Sequence, residues 1–104
     1  MKLLRDYQGQ NIRLTSERLA HILEHPEMAG MEHAIAETLS HPQRVIQSLS
    51  DSETRLYHRL YARTMVGDKN LCVVVKVSAN DAFVLTAYLT DQVKRGIQLW
   101  PINK

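Results

Sequence analysis

Cysteine is nearly missing from this 104-residue chain: Cys72 is its only one, so no internal disulfide can form and the default setting is a reducing cytoplasm. Glycine and proline are scarce, at four and three residues, which excludes collagen-like and low-complexity architectures. A long apolar run is also lacking. The start, Met1-Lys2-Leu3-Leu4-Arg5-Asp6, reads neither as a signal peptide nor as a membrane span. Charge of one sign is not in excess, since 13 Lys and Arg face 11 Asp and Glu; a net charge of +2 singles out no partner. What is present, 44% hydrophobic and 23% charged residues, is the make-up of a soluble globular chain. The length fits one domain over residues 1–104 around one core, with no space for a separate cofactor domain.

Lys2 to Tyr7 and Ile12 to Leu14 flank the turn-like Gln8-Gly9-Gln10-Asn11 and read as two small strands. Thr15 or Ser16 can cap a helix from Glu17, in which Leu19, Ile22 and Leu23 form an apolar stripe. Pro26 ends it at His25. Met31, Ala34, Ile35, Thr38 and Leu39 then predict a second helix to Ser40. Beyond Pro42 the period becomes two, with strands expected at 44–49, 54–63, 71–78 and 82–90. Short polar separators between them favour an antiparallel meander. Gln92 to Gly96 reads as a turn, and Ile97 to Trp100 as a last edge segment stopped by Pro101.

Side chains alternate across a strand, so each run splits into two lists. Leu71, Val73, Val75 and Val77 make an apolar face, with Lys76 pointing away from it; Phe83, Leu85, Ala87 and Leu89 make another, opposite Thr86, Tyr88 and Thr90. Between Thr54 and Arg63 the lists are Leu56, His58, Leu60 and Ala62 against Arg55, Tyr57, Arg59, Tyr61 and Arg63. With helices over the apolar lists, the cations, tyrosines and threonines share one basic, aromatic groove. Such a groove suits single-stranded nucleic acid, because cations neutralise phosphates and tyrosine rings stack on bases. It also suits RNA cleavage by a ribose 2′-hydroxyl, which needs a base, an acid and fixed cations but no metal. Arg and Tyr are equally at home on a merely solvated strand face, where Arg stems cover rings.

His21-Ile22-Leu23-Glu24-His25 matches the H-x-x-E-H pattern of inverted zinc peptidases. Those enzymes need an unbroken helix and a third ligand from a later helix; Pro26 breaks the helix, and Glu27, Glu32 and Glu37 of the helical region lie too close to supply it, so no metal is expected. His33 and His41 read as surface residues, His58 as a core histidine, and Cys72 as a buried thiol. His21 and His25 share one helical face, and His25 at the helix end can serve as acid or base near neutrality.

Taken in order, Arg13-Leu14-Thr15-x-Glu17-Arg18-x-x-His21-Ile22-x-x-His25-Pro26-Glu27, Arg55-Leu56-Tyr57, Val73-Val74-Val75-Lys76-Val77 and Phe83-x-x-Thr86-Ala87-Tyr88-x-Thr90-Asp91 resemble the phage-associated Barnase–EndoU–colicin–RelE-like nuclease family. The resemblance runs from about Ile12 to Trp100. It implies an α+β fold of two helices on a four-stranded antiparallel sheet, and a metal-independent ribonuclease of toxin and phage systems. Carried over by position, it nominates His21 or His25 with Lys76, Thr86, Tyr88 and Thr90; Arg59 comes from the face analysis.

In that scheme Arg59 and Lys76 hold the phosphate, His25 or Tyr88 moves protons, and Thr86 or Thr90 positions the ribose. Arg55, Tyr57, Tyr61 and Arg63 are expected to bind the RNA strand. The expectation is a cytoplasmic endoribonuclease without cofactor, acting on free or ribosome-bound RNA and held in check by an antitoxin or immunity protein, with no membrane partner. The alternative is a non-catalytic RNA-binding or protein-interaction module on the same scaffold. Oligomeric state is not legible.

Overall fold

The computed structural model describes residues 1–102. The chain opens with a small hairpin, β1 (Lys2–Arg5) and β2 (Asn11–Leu14), closed by a turn built on Asp6. Helix α1 (Ser16–Leu23) follows at once; the Thr15 hydroxyl caps it by accepting the Arg18 N–H at 3.1 Å. His25 is already extended ahead of Pro26, and a 3₁₀ turn, Pro26–Met28, buries Met28. Helix α2 (Glu32–Ser40) buries Ala34, Ile35, Thr38 and Leu39, the stripe its spacing foretells. Strands β3 (Arg44–Ser48), β4 (Thr54–Thr64), β5 (Gly67–Ser78), β6 (Asp81–Thr90) and β7 (Gly96–Trp100) complete the chain.

The expected four-stranded antiparallel sheet is not what forms. Among the described residues all seven strands join one mixed sheet in the order β1-β2-β6-β5-β4-β3-β7, carrying two short α-helices and the 3₁₀ turn. The meander β3-β4-β5-β6 is antiparallel as anticipated. At one end β2 docks parallel to β6 at Arg13 opposite Phe83, which brings the N-terminal hairpin into the sheet. A two-pronged Arg13–Asp81 bond, 2.9 and 2.6 Å, holds that junction, and the guanidinium also lies 5.5 Å from the Phe83 ring centre. At the other end β7 pairs antiparallel with β3. Gly96 allows this approach, because a Cβ there would stand 2.3 Å from the Gln47 carbonyl oxygen. Neither long-range pairing leaves a local pattern in the sequence.

One face of the sheet packs under the helices. Val45, Tyr57, Leu71, Val73, Val75, Ala82, Val84 and Ala87 meet Ile22, Met28, Ile35 and Leu39 there in the main core. Two expectations about facing are corrected. In β4 the tyrosine list, not the leucine list, turns to the helices. Tyr57 is wholly buried and its hydroxyl donates to Asp6, while the Tyr61 hydroxyl donates to Glu37 and the Ala34 carbonyl. Helix-side carboxylates and carbonyls give these phenols partners, so their rings serve as core. In β6 a bulge at Leu85 resets the alternation: Ala82 and Val84 are buried before it and Ala87 after it, so Phe83 and Leu85 leave the core list.

Candidate active site

The face away from the helices is organised in cross-strand rungs. One rung runs Arg44, His58, Cys72, Tyr88 across β3 to β6; the next runs Ile46, Leu56, Val74, Thr86. A third carries Thr54, Lys76 and Phe83, and on the other side lie Leu60, Asn70 and Thr90. Thr86, Tyr88 and Thr90 therefore form a column along β6. Ile46, Leu56 and Cys72 are buried in a small second cluster with Val74, Tyr88 and Val93, so part of this face is sealed by the strap Asp91–Arg95. The strap is anchored at both ends: Thr90 and Gln92 exchange hydrogen bonds, and the Lys94 N–H reaches His58 Nε2 at 3.5 Å.

Burial, ahead of the neighbouring Arg44 and Lys94 charges, pushes the His58 ring below the usual histidine range, while the Leu56 backbone pulls the other way. His58 Nδ1 is buried and, among the described residues, has no hydrogen-bond partner. Burial likewise pushes the Cys72 thiol up to about 11 and raises the Tyr88 phenol, to which Cys72 adds. Tyr88 thus keeps its proton through neutral pH: it can give a proton or hydrogen bond but is no base there.

The structure does not gather the residues that the sequence grouped. Lys76, Thr86, Tyr88 and Thr90 share the uncovered face, whereas Arg55, Tyr57, Arg59 and Tyr61 lie on the helix side of β4. Burial, with Asp6, raises the Tyr7 and Tyr57 phenols, and the neighbouring Arg55 charge opposes that rise. Arg59 is engaged by the His41 carbonyl at 2.8 Å and by Glu37 at 3.6 Å. Arg63 stands at the β4–β5 turn with a left-handed φ of 58°, its N–H held by Asp68. His21 and His25 are exposed on and just after α1; their acidic neighbours are Glu24 at 3.5 Å and Glu27 at 3.8 Å. Helix α1 packs against β6, and Arg18 donates to the Leu85 carbonyl at the bulge at 3.3 Å, which places the helix beside the strand bearing the polar column. Among the described residues no three His, Cys, Asp or Glu side chains are grouped as metal ligands would be, and α1 ends at Leu23, short of His25.

Lys76 is held on the uncovered face by two carboxylates, Asp51 at 2.5 Å and Glu53 at 3.7 Å. The bond from Lys76, with the Glu53 N–H and the Thr54 hydroxyl, lowers Asp51 to about 2. The folded carboxyl thus titrates below its unfolded value near 3.9. Its stabilising contribution is complete above about pH 4 and fades as pH falls toward 2. In Lys76→Met the Asp51 midpoint, followed by carboxyl carbon NMR, is expected to move up toward the ordinary range; an unmoved midpoint would show that the backbone and Thr54 hold it alone.

Sequence reasoning missed Arg44, Lys94 and Arg95 as members of this face, and placed His58 in the main core. Arg44 could have been found from the register, since it opens β3 opposite His58. The folding of the strap back over the sheet has no sequence signal beyond the isolated Val93 between polar neighbours.

The polar column thus lies on the face away from the helices, partly under the strap, with the histidine-bearing helix on the other side of the same strand, and comparison with known proteins gives the class. Over residues 1–100 the chain matches a family model described as phage-Barnase-EndoU-ColicinE5/D-RelE like nuclease2, and it belongs to that family. Neither the curated proteins nor the solved structures hold a significant match to it. No helix among the described residues is long and apolar enough to cross a membrane.

Proposed function

We propose that the protein is an endoribonuclease in which a ribose 2′-hydroxyl attacks its own phosphate over β6. The observation that carries this reading is the column Thr86, Tyr88, Thr90 on the uncovered face of the strand against which α1 packs. His21 or His25, carried on the opposite face of β6, takes the 2′-hydroxyl proton from a strand that wraps over the β6 edge, which β2 pairs only at Phe83; O2′ bonds to phosphorus, the P–O5′ bond breaks, and Tyr88 gives a proton to the leaving O5′. Lys76, two residues or about 7 Å along β5 from the rung of Thr86, exchanges its Asp51 and Glu53 partners for the non-bridging oxygens, and the threonine hydroxyls hold ribose and phosphate. As written, the reaction uses no metal.

Purified protein incubated with total cellular RNA in excess EDTA, with and without ribosomes, is expected to leave fragments ending in 2′,3′-cyclic phosphate. Cleavage that EDTA abolishes, or fragments ending in a plain 3′-hydroxyl, would overturn the mechanism. No cutting under either condition would leave a binding module on the same scaffold.

A further inference from the structure

The strap Asp91–Arg95 covers the sheet beside the polar column, yet nothing in the chemistry above uses it. Val93 fills the apolar seat made by Ile46, Leu56 and Cys72, Lys94 is hung by its N–H on His58, and Asp91 is tied to Lys69 at 2.5 Å. These anchors fix the backbone and leave the Lys94 and Arg95 side chains exposed. Arg44, also exposed, approaches from the other side: it opens the rung of His58, and its charge and that of Lys94 both act on that ring.

Among the described residues none of Arg44, Lys94 and Arg95 has a carboxylate within 4.0 Å, whereas Lys2, Arg13, Arg59, Lys69 and Lys76 each do. Three uncompensated cations thus border one patch, alongside Thr90 and Gln92, with which Val93, Lys94 and Arg95 line a shallow recess. Such a patch repels itself and favours an anionic strand that spans it.

We infer that Arg44, Lys94 and Arg95 form the site at which a single RNA strand lays its phosphates, with the strap as its rigid support. This rests on the RNA reading above, but it concerns binding and not the reaction. It replaces the expected role of Arg55, Tyr57, Tyr61 and Arg63, which the helix side and the β4–β5 turn hold elsewhere.

The test uses a fully 2′-O-methylated RNA oligomer, which has no attacking hydroxyl, and reads its affinity by fluorescence anisotropy over a range of salt. The triple variant Arg44→Gln/Lys94→Gln/Arg95→Gln is expected to bind at least about 10-fold more weakly than wild type. Its slope of log affinity against log salt should be shallower by about 2, the value for three lost contacts to a single strand. All three side chains are exposed, so its unfolding temperature should stay near that of wild type. Arg44→Lys/Arg95→Lys, which keeps the charges, should bind within a few-fold of wild type, as should the control Lys2→Gln/Arg5→Gln.

Equal binding by the triple variant, or an equal loss in the control, would overturn the site. Binding of the methylated strand without cleavage of natural RNA would overturn the nuclease and leave this site standing. Cleavage by a triple variant of unchanged affinity would do the reverse.

Discussion

Replacing both His21 and His25 by alanine is expected to slow RNA cleavage by about 10²–10⁴-fold, the usual worth of positioned proton transfer, without lowering the unfolding temperature. Both side chains are largely exposed, at 64% and 63%, and their nearest carboxylates are 3.5 and 3.8 Å away, so their removal disturbs no packing. The single variants identify the carrier: one should lose nearly the whole effect and the other little. A proton carrier also shapes the pH–rate profile, and the limb belonging to the imidazole should vanish with it. Wild-type rates in the double variant would remove α1 from the chemistry.

The second large effect is on stability. Asp6 is only 4% exposed and accepts three hydrogen bonds, from the Tyr57 hydroxyl at 2.8 Å and from the N–H groups of Gln8 and Gln10, both at 2.9 Å. Asp6→Ala strands a wholly buried phenol and opens the β1–β2 turn. The expected cost is about 3 kcal/mol, a fall in Tm of about 12–24 °C for a domain of this size, read by thermal circular dichroism. Tyr57→Phe leaves Asp6 its two amides and should cost about 1 kcal/mol. Because Tyr57 lies under the helices, that variant should bind RNA as wild type does, in contrast to the role its alternation with arginine suggests. A Tm within about 2 °C of wild type in Asp6→Ala would show that water replaces the carboxylate.

Local chemistry made most of the elements legible. The Thr15 cap, the stop at Pro26, the α2 stripe and the polar separators at residues 50–53 and 79–81 put the helices and most meander strands close to where they lie, whereas residues 66–70, expected as a turn, are mostly the start of β5. The apolar face of β5 was also legible, because four aliphatic residues in alternation have one sensible place to go. Facing in β4 was not, since both its lists contain large side chains. What decided it was partners far off in sequence, Asp6 for Tyr57 and Glu37 for Tyr61. The Leu85 bulge and the parallel docking of β2 on β6 are likewise long-range outcomes. The candidate site divides the same way. Its column on β6 was readable by counting twos, whereas Arg44 and the strap joined it only through cross-strand register and a loop that folds back.

The Arg13–Asp81 junction joins residues 68 positions apart. Ribosomes release a chain from its beginning, so α1 emerges before β6 and must wait for it. While it waits, β2 has no strand to dock on, and Ile12 and Leu14, buried in the finished fold, have no sheet beneath them. The proposed centre therefore has no half-finished form. During synthesis the hairpin and the helices precede β6, and the sheet face that bears Thr86, Tyr88 and Thr90 is complete only once β6 and the strap have followed.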